Sequence, residues 1–247
     1  MENRSQKAPF LPLIWRELQL CSKKLYINMA FTAVLSIIGI LFPLSFKYGN
    51  LKLIFVEISS ASLWQYMHYG IIAYIGYMFS AFSFVASESV IEDTKKKWVL
   101  FLKSTPVTPC KLAMAKYVFK FVMIAFQLLL SFAYAAIICS LCDKSFDIKV
   151  VAIILILAAF TLIFSTIMEL FAHLTASTDK AGLCTMGVML AIAFALMPFF
   201  EGRSFGEIIK SLTKSCDIFV AVAPAVMLCV FAIGFICTIF LYRRYEK

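Results

Sequence analysis

The amino-acid sequence predicts an all-α, polytopic membrane protein: six transmembrane helices with both termini in the cytoplasm, an N-terminal interfacial helix, and a cytoplasmic coupling helix between helices 2 and 3. Three observations predict it. Of the 247 residues, 62% are hydrophobic and only 15% charged, against about half apolar and a quarter charged in an ordinary soluble domain. Apolar runs reach the ~20 residues that cross hydrocarbon, where a soluble core uses shorter ones. The basic residues sit between those runs, so the formal charge of +9 reads as membrane topology and not as a nucleic-acid face.

Taken in order, residues 11–24 open the chain as an amphipathic helix. Pro12 suits a helix start, and Ile14, Leu18, Cys21 and Leu25 recur at helical spacing against Arg16, Glu17, Gln19, Lys23 and Lys24. This piece is expected to lie flat on the membrane surface. No secretory leader pattern precedes it. Spans bounded where charges stop follow at 25–46, 64–85, 117–141, 150–171, 181–200 and 218–242. Backbone amides in hydrocarbon must be satisfied within their own segment, so runs of this length are helices. Between the last two spans, residues 204–214 keep Phe205, Ile208, Ile209 and Leu212 on one stripe beside Glu207, Lys210 and Lys214, predicting a short outer helix. The whole chain, 1–247, reads as one transmembrane domain.

Orientation follows from the distribution of lysine and arginine. Arg4, Lys7, Arg16, Lys23 and Lys24 precede the first span. Lys95, Lys96, Lys97, Lys103, Lys111, Lys116 and Lys120 lie in the second connection, Lys180 in the fourth, and Arg243, Arg244 and Lys247 in the tail. Only Lys47, Lys52, Lys144, Lys149, Arg203, Lys210 and Lys214 fall on the other side. The positive-inside rule then places both termini in the cytoplasm.

Motifs for chemistry are missing. There is no G-x-x-x-x-G-K-[ST] loop for nucleotide phosphates, no H-E-x-x-H and no G-x-S-x-G. The chain is therefore not expected to be an enzyme by itself, and no catalytic residue, metal site or resident cofactor is assigned. The eight cysteines lie mostly within or at the ends of apolar segments, where the thiol acts as a small hydrophobe. Cys139 and Cys142 form a lone C-x-x-C without a second pair, and only Cys142 with Cys216, both near the outer face, raises a disulfide question. Intramembrane ionisable groups mark pathways because an unpaired charge in hydrocarbon is costly. The possible pathway residues are Glu169, near the cytoplasmic end of the fourth span, and His68, near the outer end of the second, each close enough to an interface to be satisfied by water or headgroups.

The segment 88–109 is the longest cytoplasmic connection. Glu88, Glu92 and Asp93 precede Lys95, Lys96 and Lys97, an order that suits the helix dipole. Trp98, Phe101 and Leu102 then fall on one side at i, i+3, i+4. Pro106 and Pro109 end the helix before the third span. A basic amphipathic helix on anionic lipid and a docking element for a cytoplasmic protein both fit.

The acidic residues Glu88, Glu92 and Asp93, then Lys97 and Trp98, the run Phe101-Leu102-Lys103-Ser104-Thr105-Pro106-Val107, and Lys116-Tyr117 at the third span resemble the membrane subunits of type 2 ABC exporters. The likeness is to small bacterial permeases of the kind that export phenol-soluble modulins or confer lantibiotic immunity. It implies a multi-pass subunit of the bacterial cytoplasmic membrane, bound to a separate ABC ATPase subunit that holds ATP and magnesium. Residues Glu88, Glu92, Asp93, Lys97, Trp98, Phe101, Leu102, Lys103, Ser104, Thr105 and Pro106 would then form the ATPase-coupling surface. It also implies a second permease copy or paralogue, a connecting helix at 11–24, and re-entrant character for 204–214. Thr105 stands where leucine is common in the family, so that part of the surface differs. The expected function is export of a hydrophobic or amphipathic substrate, a peptide first among them. Membrane lipid is a further expected partner, and nucleic acid is not one. A secondary transporter or channel, or a membrane scaffold or immunity subunit that moves nothing, stays open beside it.

Overall fold

The structure is a computed structural model that describes residues 10–48, 61–95, 107–175, 177–200 and 215–246. Seven helices follow in order: α1 (Phe10–Tyr48), α2 (Ala61–Phe79), α3 (Ala81–Lys95), α4 (Pro109–Leu141), α5 (Ile148–Thr175), α6 (Thr178–Phe200) and α7 (Cys216–Glu246). No strand occurs among the described residues. The predicted outer helix 204–214 and most of the coupling segment, 96–106, lie outside them.

Five stretches are long and apolar enough to cross a membrane: Phe10–Ser45, Met67–Val85, Pro109–Leu141, Ile148–Thr175 and Cys216–Arg243. The second bridges α2 and α3, which are separated by Ser80 alone; its N–H reaches the carbonyls of Gly76 and Tyr77, both at 3.1 Å, so the helical direction is kept. Helix α6 packs beside α5 as a further traverse. The chain thus runs up and down the bundle, with α5 central, in contact with α7, α6, α3, α2 and α4.

Two predicted boundaries are corrected. Residues 11–24 do not form a separate helix, because α1 is continuous over 39 residues. Nothing between Pro12 and Gly39 breaks a helix, and the amphipathic stripe is in phase with the apolar run behind it. At 1.5 Å per residue α1 is ~58 Å long, well beyond the ~30 Å hydrocarbon thickness. Its stripe also packs on protein: Cys21 is buried, Leu18 and Leu25 pack on the same core, and the Cys21 thiol donates to the Val85 carbonyl at 3.1 Å. The third span likewise starts at Pro109, not Tyr117. Thr108 caps it by accepting the Lys111 N–H at 3.4 Å, and Pro109 sits in the first turn, where a missing N–H costs nothing.

Lipid tails are as apolar as leucine, so helix association depends on close packing and small residues at the crossings. Ala113, Ala115, Ala135, Ala152, Ala158 and Ala172 are all buried to 1% exposure or less on α4 and α5. Between them the rings of Phe79 and Tyr134, 5.9 Å apart, and of Phe82 and Phe126, 5.3 Å apart, meet edge to face. Gly234 of α7 is a point of closest approach, since a β-carbon there would stand 2.5 Å from Tyr117 Oη and 2.6 Å from Thr166 Cγ2. Gly234→Ala is expected to cost about 1–3 kcal/mol through overpacking. A β-carbon at Gly70 meets nothing within 4 Å. Gly70→Ala should therefore leave the melting temperature of the detergent-solubilised protein unchanged or raised, while Gly234→Ala lowers it.

Candidate functional site: a buried ionic seam

Helix α3 carries Ser80, Ser83, Ser87, Ser89 and Asp93, all buried, along the side that meets α4 and α5. Helix α4 carries Lys116, Lys120, Gln127 and Ser131, also buried, at spacings of four, seven and four that hold one face. Antiparallel packing brings the two stripes together at the end of the bundle where α1 begins and α7 finishes.

The ammonium of Lys116 lies 2.6 Å from Asp93 Oδ2 and 2.9 Å from Glu17 Oε2, and donates to Ser89 Oγ at 3.3 Å. Arg16 pairs with Glu17 at 2.7 Å and also with Asp93. One turn along α4, Lys120 donates to Glu169 Oε1 at 2.9 Å and to Thr166 Oγ1 at 3.0 Å, and the Ser87 hydroxyl donates to the same Glu169 oxygen at 2.8 Å. Ser83 continues the seam by donating to Gln127. Three basic and three acidic side chains balance one another, which is the condition under which charges persist away from water.

Each helix contributes for a local reason. Glu17 is fully buried because it lies one turn before Cys21 on the face of α1 that meets α3 and α4. Asp93 is reached because α3 continues the second span without a break to Lys95. Val90, Lys116, Tyr117, Lys120, Glu169 and Thr238 also line a small internal polar cavity. Tyr117 Oη stands 3.4 Å from Thr238 Oγ1 of α7.

The seam fixes both ends of residues 96–106. On the side where the chain enters that segment, Asp93 is tied to α1 and α4. Where it leaves, Val107 packs with Leu112, Ala113, Phe235, Ile239 and Tyr242, which joins α4 to the last turns of α7.

Of the residues predicted to face an ATPase, Glu88, Glu92 and Asp93 lie on α3. Asp93 points into the protein at 2% exposure, and Glu92 is half-buried. Lys97, Trp98, Phe101, Leu102, Lys103, Ser104, Thr105 and Pro106 lie outside the described residues. The two possible pathway residues are not brought together. Glu169 belongs to the seam, where it is satisfied by Lys120 and Ser87 and not by water or headgroups. His68 is buried at the opposite end, its ring 3.9 Å from that of Tyr69, whose hydroxyl donates to Asp147 at 2.5 Å. At that opposite end Lys47 also pairs with Asp143 at 2.7 Å; this hydrogen bond raises the Lys47 pKa above its ordinary value. All eight cysteines are free, Cys142 and Cys216 included. Among the described residues no group of His, Cys, Asp or Glu is placed to hold a metal ion.

Sequence reasoning placed Arg16, Lys116 and Lys120 in cytoplasmic connections and Glu17 on a water-facing side. The structure corrects this, because acids on neighbouring helices neutralise the three cations. A signal was present in the four-residue spacing of Lys116 and Lys120, continued by Gln127, and in the matching serine stripe on α3. Its partners, Glu17 and Glu169, lie far away in sequence.

The family model described as ABC-2 family transporter protein matches residues 60–243, from the start of α2 to near the end of α7. No curated protein and no solved structure matches the chain.

Proposed function

The chain belongs to the ABC-2 family of transporter proteins, and from that premise we propose that it is the permease subunit of an ATP-driven exporter in a bacterial cytoplasmic membrane. Family membership implies a partner ATPase in a type 2 ABC system, with this chain as its non-catalytic transport subunit. In the proposal, ATP and magnesium reside on that partner, two permeases pair around the path, and the end bearing the termini faces the cytoplasm. Removing Arg16, Lys116 and Lys120 from the charge count leaves the lysine and arginine excess on that same end.

One observation carries the reading: residues 96–106, with Trp98, Phe101 and Leu102 on one side, emerge between two anchored points of the bundle. Closure of the ATPase subunits would displace this segment. The ionic seam would pass the displacement from α3 to α1, α4 and α5, while the packing of Val107 and Tyr242 would pass it to α7. Paired charges in a low-dielectric interior suit such a joint, because partial separation is strongly resisted and the helices move as a unit. A hydrophobic or amphipathic substrate, a peptide first among them, fits the outer faces, where Phe121, Phe160, Phe194 and Phe240 are each more than half exposed. Such faces offer a lateral route from the bilayer.

Co-purification tests the proposal. The tagged chain, extracted from its native membrane in mild detergent, should retain an ATPase subunit at near-equal stoichiometry by mass spectrometry. A chain that purifies alone and stays monodisperse would favour a secondary transporter or a scaffold.

A further inference from the structure

A second feature lies outside the ionic seam, on the flank where α1 crosses α3. Two contacts pin the helices together there. The Cys21 thiol donates to the Val85 carbonyl at 3.1 Å, and the Asn28 side-chain amide donates to the Ala81 carbonyl at 3.4 Å. Beside these contacts a laterally open cleft of about 140 Å³ is lined by Lys24, Ile27, Asn28, Phe84 and Val85. Its floor is firm: Val85 is 1% exposed, and the Phe84 ring is held edge to face by Phe164 at 5.3 Å.

Two helices independently fix the depth of this cleft. Lys24 immediately precedes the apolar run of α1 that begins at Leu25, and Val85 is the last residue of the second membrane-crossing stretch. The cleft therefore sits where hydrocarbon gives way to headgroups. Its lining holds three apolar side chains, one amide and one cation, with no carboxylate. At ~30 Å³ per water-sized group it has room for roughly five such groups, the size of a short stretch of acyl chain and too small for a folded peptide.

We propose that this cleft is a binding site for an anionic phospholipid of the leaflet at the terminus-bearing end. The Lys24 ammonium takes the headgroup phosphate, Asn28 lies at the polar edge, and Ile27, Phe84 and Val85 hold the first methylenes of a chain. A free inorganic anion would leave the three apolar walls wet. A zwitterionic headgroup would bring its own cation towards Lys24. The site does not depend on the transport reading, since it needs only a bilayer.

The test is native mass spectrometry of the full chain released from nanodiscs made of equal parts phosphatidylglycerol and phosphatidylcholine. The wild type should retain phosphatidylglycerol preferentially. Lys24→Glu should lower that preference by about fivefold or more, the factor expected from one lysine charge near a membrane surface. Ile27→Trp, which fills the cleft and keeps Lys24, should also release the lipid. Lys144→Glu makes the same charge change at an exposed position on the opposite end and should change nothing. Retention undiminished in both cleft variants, or an equal loss in Lys144→Glu, would overturn the site. So would release by added inorganic phosphate alone, which would identify a bare anion site, or displacement by an amphipathic peptide at equimolar amounts.

Discussion

Lys120→Met should destabilise the protein by about 3–5 kcal/mol, the usual consequence of leaving one buried charge without its partner. The Lys120 ammonium is 2% exposed and holds Glu169 at 2.9 Å; without it, Glu169 keeps the Ser87 hydroxyl as its printed donor within the seam. Methionine preserves the length and apolar stem of lysine, so the loss reports charge and not a cavity. The effect is measured as the fall in melting temperature and in monodisperse yield after detergent extraction. Adding Glu169→Gln should recover most of the stability, because a neutral amide can accept from Ser87 without demanding a counter-ion. A Lys120→Met protein as stable as the wild type would show that water reaches the seam and that the pair is not isolated there.

Trp98→Ala should weaken the grip of the partner ATPase by about 2 kcal/mol or more, roughly 30-fold in affinity, as expected for a tryptophan anchor at a docking surface. Asp93 provides the contrast. It stands five residues earlier but faces inward to Arg16 and Lys116, so Asp93→Asn should leave the ATPase bound and reduce export by loosening α3 from α1 and α4. The two variants separate grip from transmission: the first loses the partner in co-purification, and the second retains it while substrate movement falls. Undiminished export by Trp98→Ala would count against the docking role of the segment.

Most of the bundle was legible in the sequence because hydropathy alone dictates where a chain can cross hydrocarbon. The far ends of α4 at Leu141 and α6 at Phe200 coincide with the predicted ones, since Asp143 and Glu201 follow them closely. The near ends were misplaced. A rule that stops a span at its first lysine cannot tell a loop lysine from one neutralised by an acid on another helix, and Lys111, Lys116 and Lys120 all precede the predicted start of the third span. The same rule divided α1 at Lys24, although Ser22, Lys23 and Lys24 contain no helix breaker. The coupling segment was found from its alternation of acids, lysines, aromatics and prolines. The seam that anchors it was not, because an ion pair such as Lys116 with Glu17 depends on tertiary packing and leaves only half of its signal in each helix.

The central claim is that this chain supplies the path while a separate ATPase supplies the energy. The most direct measurement reconstitutes the purified chain with its co-purified ATPase in liposomes and follows a fluorescent amphipathic peptide across the bilayer. The account predicts movement only when both subunits and ATP with magnesium are present, and no movement when a proton or sodium gradient is imposed on the chain alone. Movement driven by such a gradient without the ATPase would contradict it.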